Sequence, residues 1–226
     1  MRRFLTAGLL GLAVFTPQSR AADDALAPVL KTAAGWDNYR FTVEEKPGAG
    51  TGGAVEGAYQ KGKPLHCKAD RIEFFKKGEA LVYLDGGRWQ RSKRGITSDP
   101  LRVLGGVAKV NTLRLPHEEL AALAKIAGAA TKEKAKDGGR TVYRVTLGKE
   151  AARQLARTEH RGVVQGGTAR FWLSADGKLV KYSVSLRLQG RLGSADVNGT
   201  AVKTIALDKV GATKVEVPQE ARKALE

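Results

Sequence analysis

Apolar side chains recur at every second position along much of this chain, the period of a strand with one buried face. Tyr39, Phe41 and Val43 alternate with Arg40, Thr42 and Glu44, and Val55, Gly57 and Tyr59 share one face of a second strand. In a third, Leu65, Cys67 and Ala69 give way to Ile72 and Phe74. That phase switch predicts a bulge near Arg71. Residues 80–84 turn through Asp85-Gly86-Gly87 into Arg88-Trp89-Gln90, and Asp-Gly between strands is a strong hairpin signal. Thr141–Leu147 is a further strand, and residues 169–174 turn at Asp176-Gly177 into the clearest alternation of all. There Val180, Tyr182, Val184, Leu186 and Leu188 face one way, and Lys181, Ser183, Ser185 and Arg187 the other. Residues 197–207 and a short segment at 213–217 complete the predicted strands. The glycine-rich stretch 48–53 reads as a flexible hairpin loop and residues 132–139 as a charged turn.

Between these runs the period lengthens to that of a helix. Residues 23–30 open with two aspartates, which suit a first helical turn. Ser98-Asp99-Pro100 is a capped helix start, and in Pro116–Ile126 the side chains of Leu120, Leu123 and Ile126 share a face. Residues 149–160 and Gln219–Leu225 are two more helical segments. Short connections between strands favour antiparallel pairing, and a sheet with one apolar face needs a cover. The expected class is therefore α+β: a strongly curved antiparallel sheet, a half-barrel, with the helices inserted mid-chain on its concave face.

The first residues carry a different pattern. Arg2 and Arg3 precede an uncharged run from Phe4 to Phe15, then come Pro17 and the small residues around Ser19-Arg20-Ala21. That order is a secretory signal, and a run of about a dozen apolar residues is short of the roughly 20 that span a membrane. The expectation is a signal peptide at 1–21 and one domain at 22–226, exported to the periplasm or beyond and soluble after cleavage, a retained anchor being the alternative. No cysteine near the cleavage point offers a site for acylation. Cys67 is the only cysteine, so no internal disulfide staples the fold.

Charge changes the picture of partners. The formal net charge is +16, and cleavage would lower it to +13 by removing Arg2, Arg3 and Arg20. A basic exported protein points to anionic envelope surfaces rather than nucleic acid. Arg88, Arg91, Lys93 and Arg94 form the densest basic group, and Lys149, Arg153 and Arg157 are spaced to make one stripe on a helix. Both are candidate anionic docking residues, with an ordinary solvated face as the alternative reading.

Catalytic chemistry finds little material. His66 and Cys67 are neighbours on a strand and point to opposite faces, so they cannot act as base and nucleophile. Cys67 keeps phase with Leu65 and Ala69 and reads as core, while His117 and His160 read as surface or capping residues. No metal-ligand spacing, nucleophile elbow or phosphate loop is present, and no cofactor is implied. Glu44-Glu45 and Glu118-Glu119 are adjacent carboxylates rather than an opposed pair.

Several local phrases resemble the outer-membrane lipoprotein carrier superfamily of LolA, LolB and LppX. Gly86-Gly87-Arg88-Trp89 resembles its glycine-then-tryptophan hairpin, and Asp99-Pro100 with Leu101 and Leu104 the helix that follows. Gly139-Arg140-Thr141-Val142-Tyr143 resembles a later strand. Phe171-Trp172-Leu173-Ser174-Ala175-Asp176-Gly177 is similar to the tryptophan-bearing hairpin, and Val217-Pro218 to the late proline. The resemblance runs from about Trp36 to Leu225 and implies a half-barrel around an apolar cavity, binding acyl chains or lipoproteins or acting in envelope signalling. On that reading the chain is a non-enzymatic binder of a lipid, lipoprotein or other amphiphile. Strand phase selects Phe41, Tyr59, Trp89, Trp172, Tyr182 and Leu186 to line the cavity. The alternatives are an envelope interaction module with a filled core and a basic docking surface, and a hydrolase whose site is assembled from distant residues.

Overall fold

The computed structural model describes residues 26–46, 53–92, 100–126, 130–133, 138–156 and 160–226. The leader, most of the glycine-rich stretch, and Lys93, Arg94 and Arg157 lie outside the described residues.

Eleven strands form one sheet: β1 (Asn38–Lys46), β2 (Gly53–Gln60), β3 (Leu65–Ala69), β4 (Ile72–Lys77), β5 (Ala80–Asp85), β6 (Arg88–Arg91), β7 (Thr131–Glu133), β8 (Thr141–Leu147), β9 (Val164–Leu173), β10 (Leu179–Leu192) and β11 (Ala195–Asp208). Their spatial order is β6-β5-β4-β3-β2-β1-β11-β10-β9-β8-β7, every pair antiparallel. Two meanders thus run outward from the middle, where the first strand pairs with the last. The open sheet curls into a half-barrel. Its concave face is covered by α1 (Leu26–Ala34), α2 (Pro100–Thr112), α3 (Pro116–Ile126) and α4 (Lys149–Leu155), which join the main core cluster or pack against its strands. The expected class is the observed one. Among the described residues no helix is long and apolar enough to cross a membrane.

Five local expectations are corrected. The phase switch at Arg71 is a hairpin and not a bulge. Asp70 and Arg71 both have positive φ, 51° and 67°, and Ala69 pairs directly with Ile72. A two-residue turn of that hand matches the twist of the flanking strands, and here it forms without glycine. Lys109 of α2 donates to both oxygens of the Asp70 carboxylate, at 2.7 and 2.8 Å, which helps to hold the turn. Register shifts lie instead on β10, one between Arg187 and Leu188 and one at Val180: Leu179 pairs with Leu173 but Lys181 with Trp172, so Leu179 replaces Val180 in the core. Lys132 and Glu133, expected in the charged turn 132–139, belong instead to the edge strand β7. The helix expected over 149–160 ends at Leu155, with Ala156 extended beyond it.

Finally, residues 213–217 join no ladder. The Thr213 amide donates to Asn38 Oδ1 and the Val215 amide to Gln60 Oε1, so side chains of β1 and β2 take the place of a neighbouring strand. This segment leads α5 (Gln219–Leu225) onto the outer face of β4, β5 and β6. A second, smaller core forms there from Ala58, Phe75, Val82, Val215, Ala221 and Leu225, with Trp89 against it. Phe74 and Phe75 are adjacent and both at most 1% exposed, one in each core. The strand is apolar on both faces because both faces are covered.

Candidate functional site

The concave face is lined by alternate residues of nearly every strand, and its centre is aromatic. Tyr39, Phe74, Phe171 and Tyr182 are each 0% exposed and Phe41 is 3% exposed. Phe41 lies over Gly57, its cross-strand partner. A Cβ on Gly57 would stand 2.2 Å from Phe41 Cζ, so the bare glycine is what lets the ring lie flat on the sheet. Gly106 does the same for α2 against Phe74, whose Cζ would be 2.7 Å from an added Cβ.

Two polar groups enter this interior from the first turn of α3. The Glu119 side chain is 2% exposed, and its Oε2 accepts two bonds, from Lys203 Nζ at 2.8 Å and Tyr182 Oη at 3.0 Å. Burial, then the Glu119 charge, pushes the Tyr182 pKa well up, so the phenol keeps its proton and acts as donor. One turn edge away, Tyr39 Oη lies 2.6 Å from His117 Nδ1 and accepts the His117 amide at 3.4 Å. Desolvation raises the Tyr39 pKa far above its ordinary value, so Tyr39 donates and His117 Nδ1 accepts. The His117 ring stands 4.6 Å from that of Tyr59, and Tyr39 lies 6.1 Å from Trp36.

This network carries a pH prediction. Burial lowers the His117 pKa below its ordinary 6.5, with Glu118 pulling the other way. The unfolded chain therefore takes up a proton near pH 6.5 that the folded chain accepts only at lower pH. The stability due to neutral His117 is complete above that value, declines as pH falls through it, and levels off below the folded pKa. Urea midpoints measured across this window should fall with acidification, and His117→Gln should flatten the slope. An unchanged slope would mean that His117 titrates freely.

Cys67 is 0% exposed on the inner face, and burial pushes its thiol up to about 12 against a small opposing effect of Lys76. A thiol held in that state is neither nucleophile nor ligand at neutral pH. Iodoacetamide at mildly alkaline pH should leave the native protein unmodified and alkylate it only once urea unfolds it. His66 points outward, its ring 4.8 Å from that of Phe75 and its Nε2 2.8 Å from Glu73 Oε1. The two neighbours thus occupy opposite faces, as their strand phase requires.

Of the six residues selected by strand phase, Phe41, Tyr182 and Leu186 lie in the inner core and Tyr59 packs against it. Trp89 packs against the outer core, 5.2 Å from Phe75. Trp172 also faces outward, with Lys181 Nζ 4.8 Å from its ring centroid. Of the basic residues, Arg88 and Arg91 are exposed on the edge strand β6. Lys149 and Arg153 lie on α4 near the other edge, Arg153 paired with Glu150 at 3.7 Å. The structure does not join the two groups through a common element.

Glu119, Lys203 and His117 were missed as site residues. Lys203 carried a readable signal: it falls in phase with Val197, Ala201, Ile205 and Leu207, on the buried side of its strand. Glu119 carried a weaker one, between Pro116 and Leu120 on the apolar side of α3. Among the described residues, clefts indent the other face outside the barrel. One of about 490 Å³ lies between Lys63, Lys77 and the C-terminal segment, and one of about 340 Å³ lies over Arg40, Thr42, Glu56 and Lys68.

An open antiparallel half-barrel with an apolar, helix-covered concave face is the LolA/LolB/LppX-type fold. Among solved structures the chain is similar to LprF from Mycobacterium bovis, with a TM-score of 0.52 and 16% identity over 88% of this chain and 97% of that one. MucB is similar at a TM-score of 0.36 and 17% identity, covering 91% of this chain and 66% of that one. A LolA superfamily protein from Nitrosomonas europaea is similar at 0.30 and 10%, covering 88% and 96%. The likeness to LprF is one of fold, and the other two scores are too low to add to it. Neither a scan of protein-family models nor a search of curated proteins found a match.

Proposed function

We propose that this chain is an exported, non-enzymatic binder of a lipid, lipoprotein or other amphiphile, held between the concave sheet and its helices. The observation that carries the reading is how that cover is built. The concave face is apolar across both meanders, yet it is roofed by separate short helices rather than by a second sheet. These helices meet it through side chains, and α3 is tied through Glu119 to Lys203 and Tyr182. A roof of that kind can rise and admit an acyl chain without breaking any strand ladder. The exposed arginines of β6, with Lys149 and Arg153, would then meet an anionic head group or membrane surface.

The test is native mass spectrometry of the mature protein taken from its own envelope, followed by organic extraction. A discrete extra mass that extracts as an acyl-bearing molecule is the expected result. Phe41→Ala should reduce its retention and Trp172→Ala, on the outer face, should not. A clean apo mass that envelope lipids do not change would sink the reading. A second reading then takes over, favoured by the same five aromatic rings being so fully buried. In it the interior is filled, and the protein is an envelope interaction module that works through its outer surface.

A further inference from the structure

The two halves of the outer face differ in kind. Over β4, β5 and β6 it is apolar and roofed by α5. Over β8, β9, β10 and β11 it carries hydroxyls and cations, and the ladder registers place them in rows. Thr146, Thr168, Ser185 and Val202 are successive cross-strand partners. So are Arg144, Arg170, Ser183 and Thr204 in the next row, and Val142, Trp172, Lys181 and Ala206 in the one after. Arg187 and Thr200 extend the pattern on the other side. Partners within a row stand about 4.8 Å apart, and rows about 7 Å apart.

Among the described residues, the hydroxyls of Thr146, Thr168, Ser183, Ser185, Thr200 and Thr204 have no hydrogen-bond partner, and no carboxylate pairs with Lys181 or Arg187. Arg144 and Arg170 share the single carboxylate of Glu133, at 4.0 and 3.3 Å. The surface is thus positive and dense in free hydroxyls; Val142 is buried, and its other apolar residues, Trp172 on β9 and Val202 and Ala206 on β11, are separated by β10 rather than gathered into the apolar centre that a protein interface needs.

We infer that this outer face of β8–β11 binds an anionic polysaccharide. The rows offer what such a polymer presents in return: repeated hydroxyls at close spacing, with carboxylate or phosphate groups between them. The guanidinium groups fork onto those anions, and the hydroxyls exchange hydrogen bonds with the sugar rings. Curvature separates this ligand from a bilayer. A flexible chain can follow a convex sheet across several strands, whereas a flat membrane meets it along a line. The proposal is independent of what the concave face holds.

The experiment is calorimetric titration of the full mature chain with polygalacturonate, with dextran as the neutral control. Binding of the anionic polymer is expected, and dextran should bind far more weakly. Lys181→Glu with Arg187→Glu should weaken it about tenfold or more through lost charge complementarity. Thr168→Val with Ser183→Ala and Ser185→Ala should weaken it about fivefold through lost hydrogen bonds, with little change in salt dependence. Lys31→Glu with Lys125→Glu makes the same charge change on the helices of the concave side and should have little effect. The inference is overturned if the polymer does not bind at low ionic strength, or if the helix control loses as much as Lys181→Glu with Arg187→Glu. It is equally overturned if phosphatidylglycerol vesicles or single-stranded DNA bind more tightly through the same residues. Matching thermal midpoints among the variants keep folding out of the comparison.

Discussion

Lys203→Met is expected to destabilise the protein by about 3 kcal/mol or more, because it leaves the buried Glu119 carboxylate with a single phenol as donor. The Glu119 side chain is 2% exposed and that of Lys203 19%, so water reaches the lysine end of the pair but hardly the carboxylate. The instructive control is the double variant. Replacing a buried pair by apolar residues of similar size is often neutral or stabilising, since two desolvation costs disappear with one attraction. Glu119→Leu with Lys203→Met should therefore recover most of the loss, apart from the Tyr182 hydroxyl that loses its acceptor. Equilibrium unfolding in urea measures all three. A loss below about 1 kcal/mol for Lys203→Met would show that α3 already stands open and that the pair is solvated. The pair bears on function because it joins the helical cover to the sheet. On the proposed reading, a folded double variant should also load and release an amphiphile faster than the parent.

The second large effect is expected at Gly57. Gly57→Val would place side-chain carbon where the Phe41 ring now rests, its Cζ only 2.2 Å from the position of a Cβ. The ring is 3% exposed with core on its other side, so it cannot swing into solvent. Overpacking of this kind costs about 1–3 kcal/mol, and a branched side chain against an aromatic ring belongs at the upper end. Adding Phe41→Ala should restore part of the stability by making room, which a simple loss of strand propensity would not allow. Non-additivity of the two changes in urea unfolding is the signature to measure. Additive losses would mean that the two sites do not share the space the structure gives them.

Much of the fold was legible because a strand with one buried face writes its period into the chain. Tyr182, Val184, Leu186 and Leu188 follow that rule, and all lie in the inner core. The rule failed where burial was two-sided or where geometry was decided by a partner. Phe74 and Phe75 blur the alternation because α5 covers the second face. The Asp70-Arg71 hairpin lacks the glycine that marks such turns. Residues 213–217 look like a strand, but their amides are taken by Asn38 and Gln60 side chains.

The candidate site divides along the same line. Strand phase selected Phe41, Tyr59, Tyr182 and Leu186, which do share the concave face, because alternation within one strand is a local property. It could not show that Trp89 and Trp172 face outward, since face assignment between strands depends on turns and bulges such as the one at Val180. Nor could it bring together Glu119 and Lys203, 84 residues apart in sequence. The chain alone determined an α+β class, an antiparallel sheet and a thiol that packs as core, all consequences of short-range period and residue type. Only the tertiary structure decided which face each strand turns inward, where the deeply buried Glu119 carboxylate finds its partner, and where the rows of hydroxyls align. Those depend on register and curl, which come from contacts between residues far apart in the sequence.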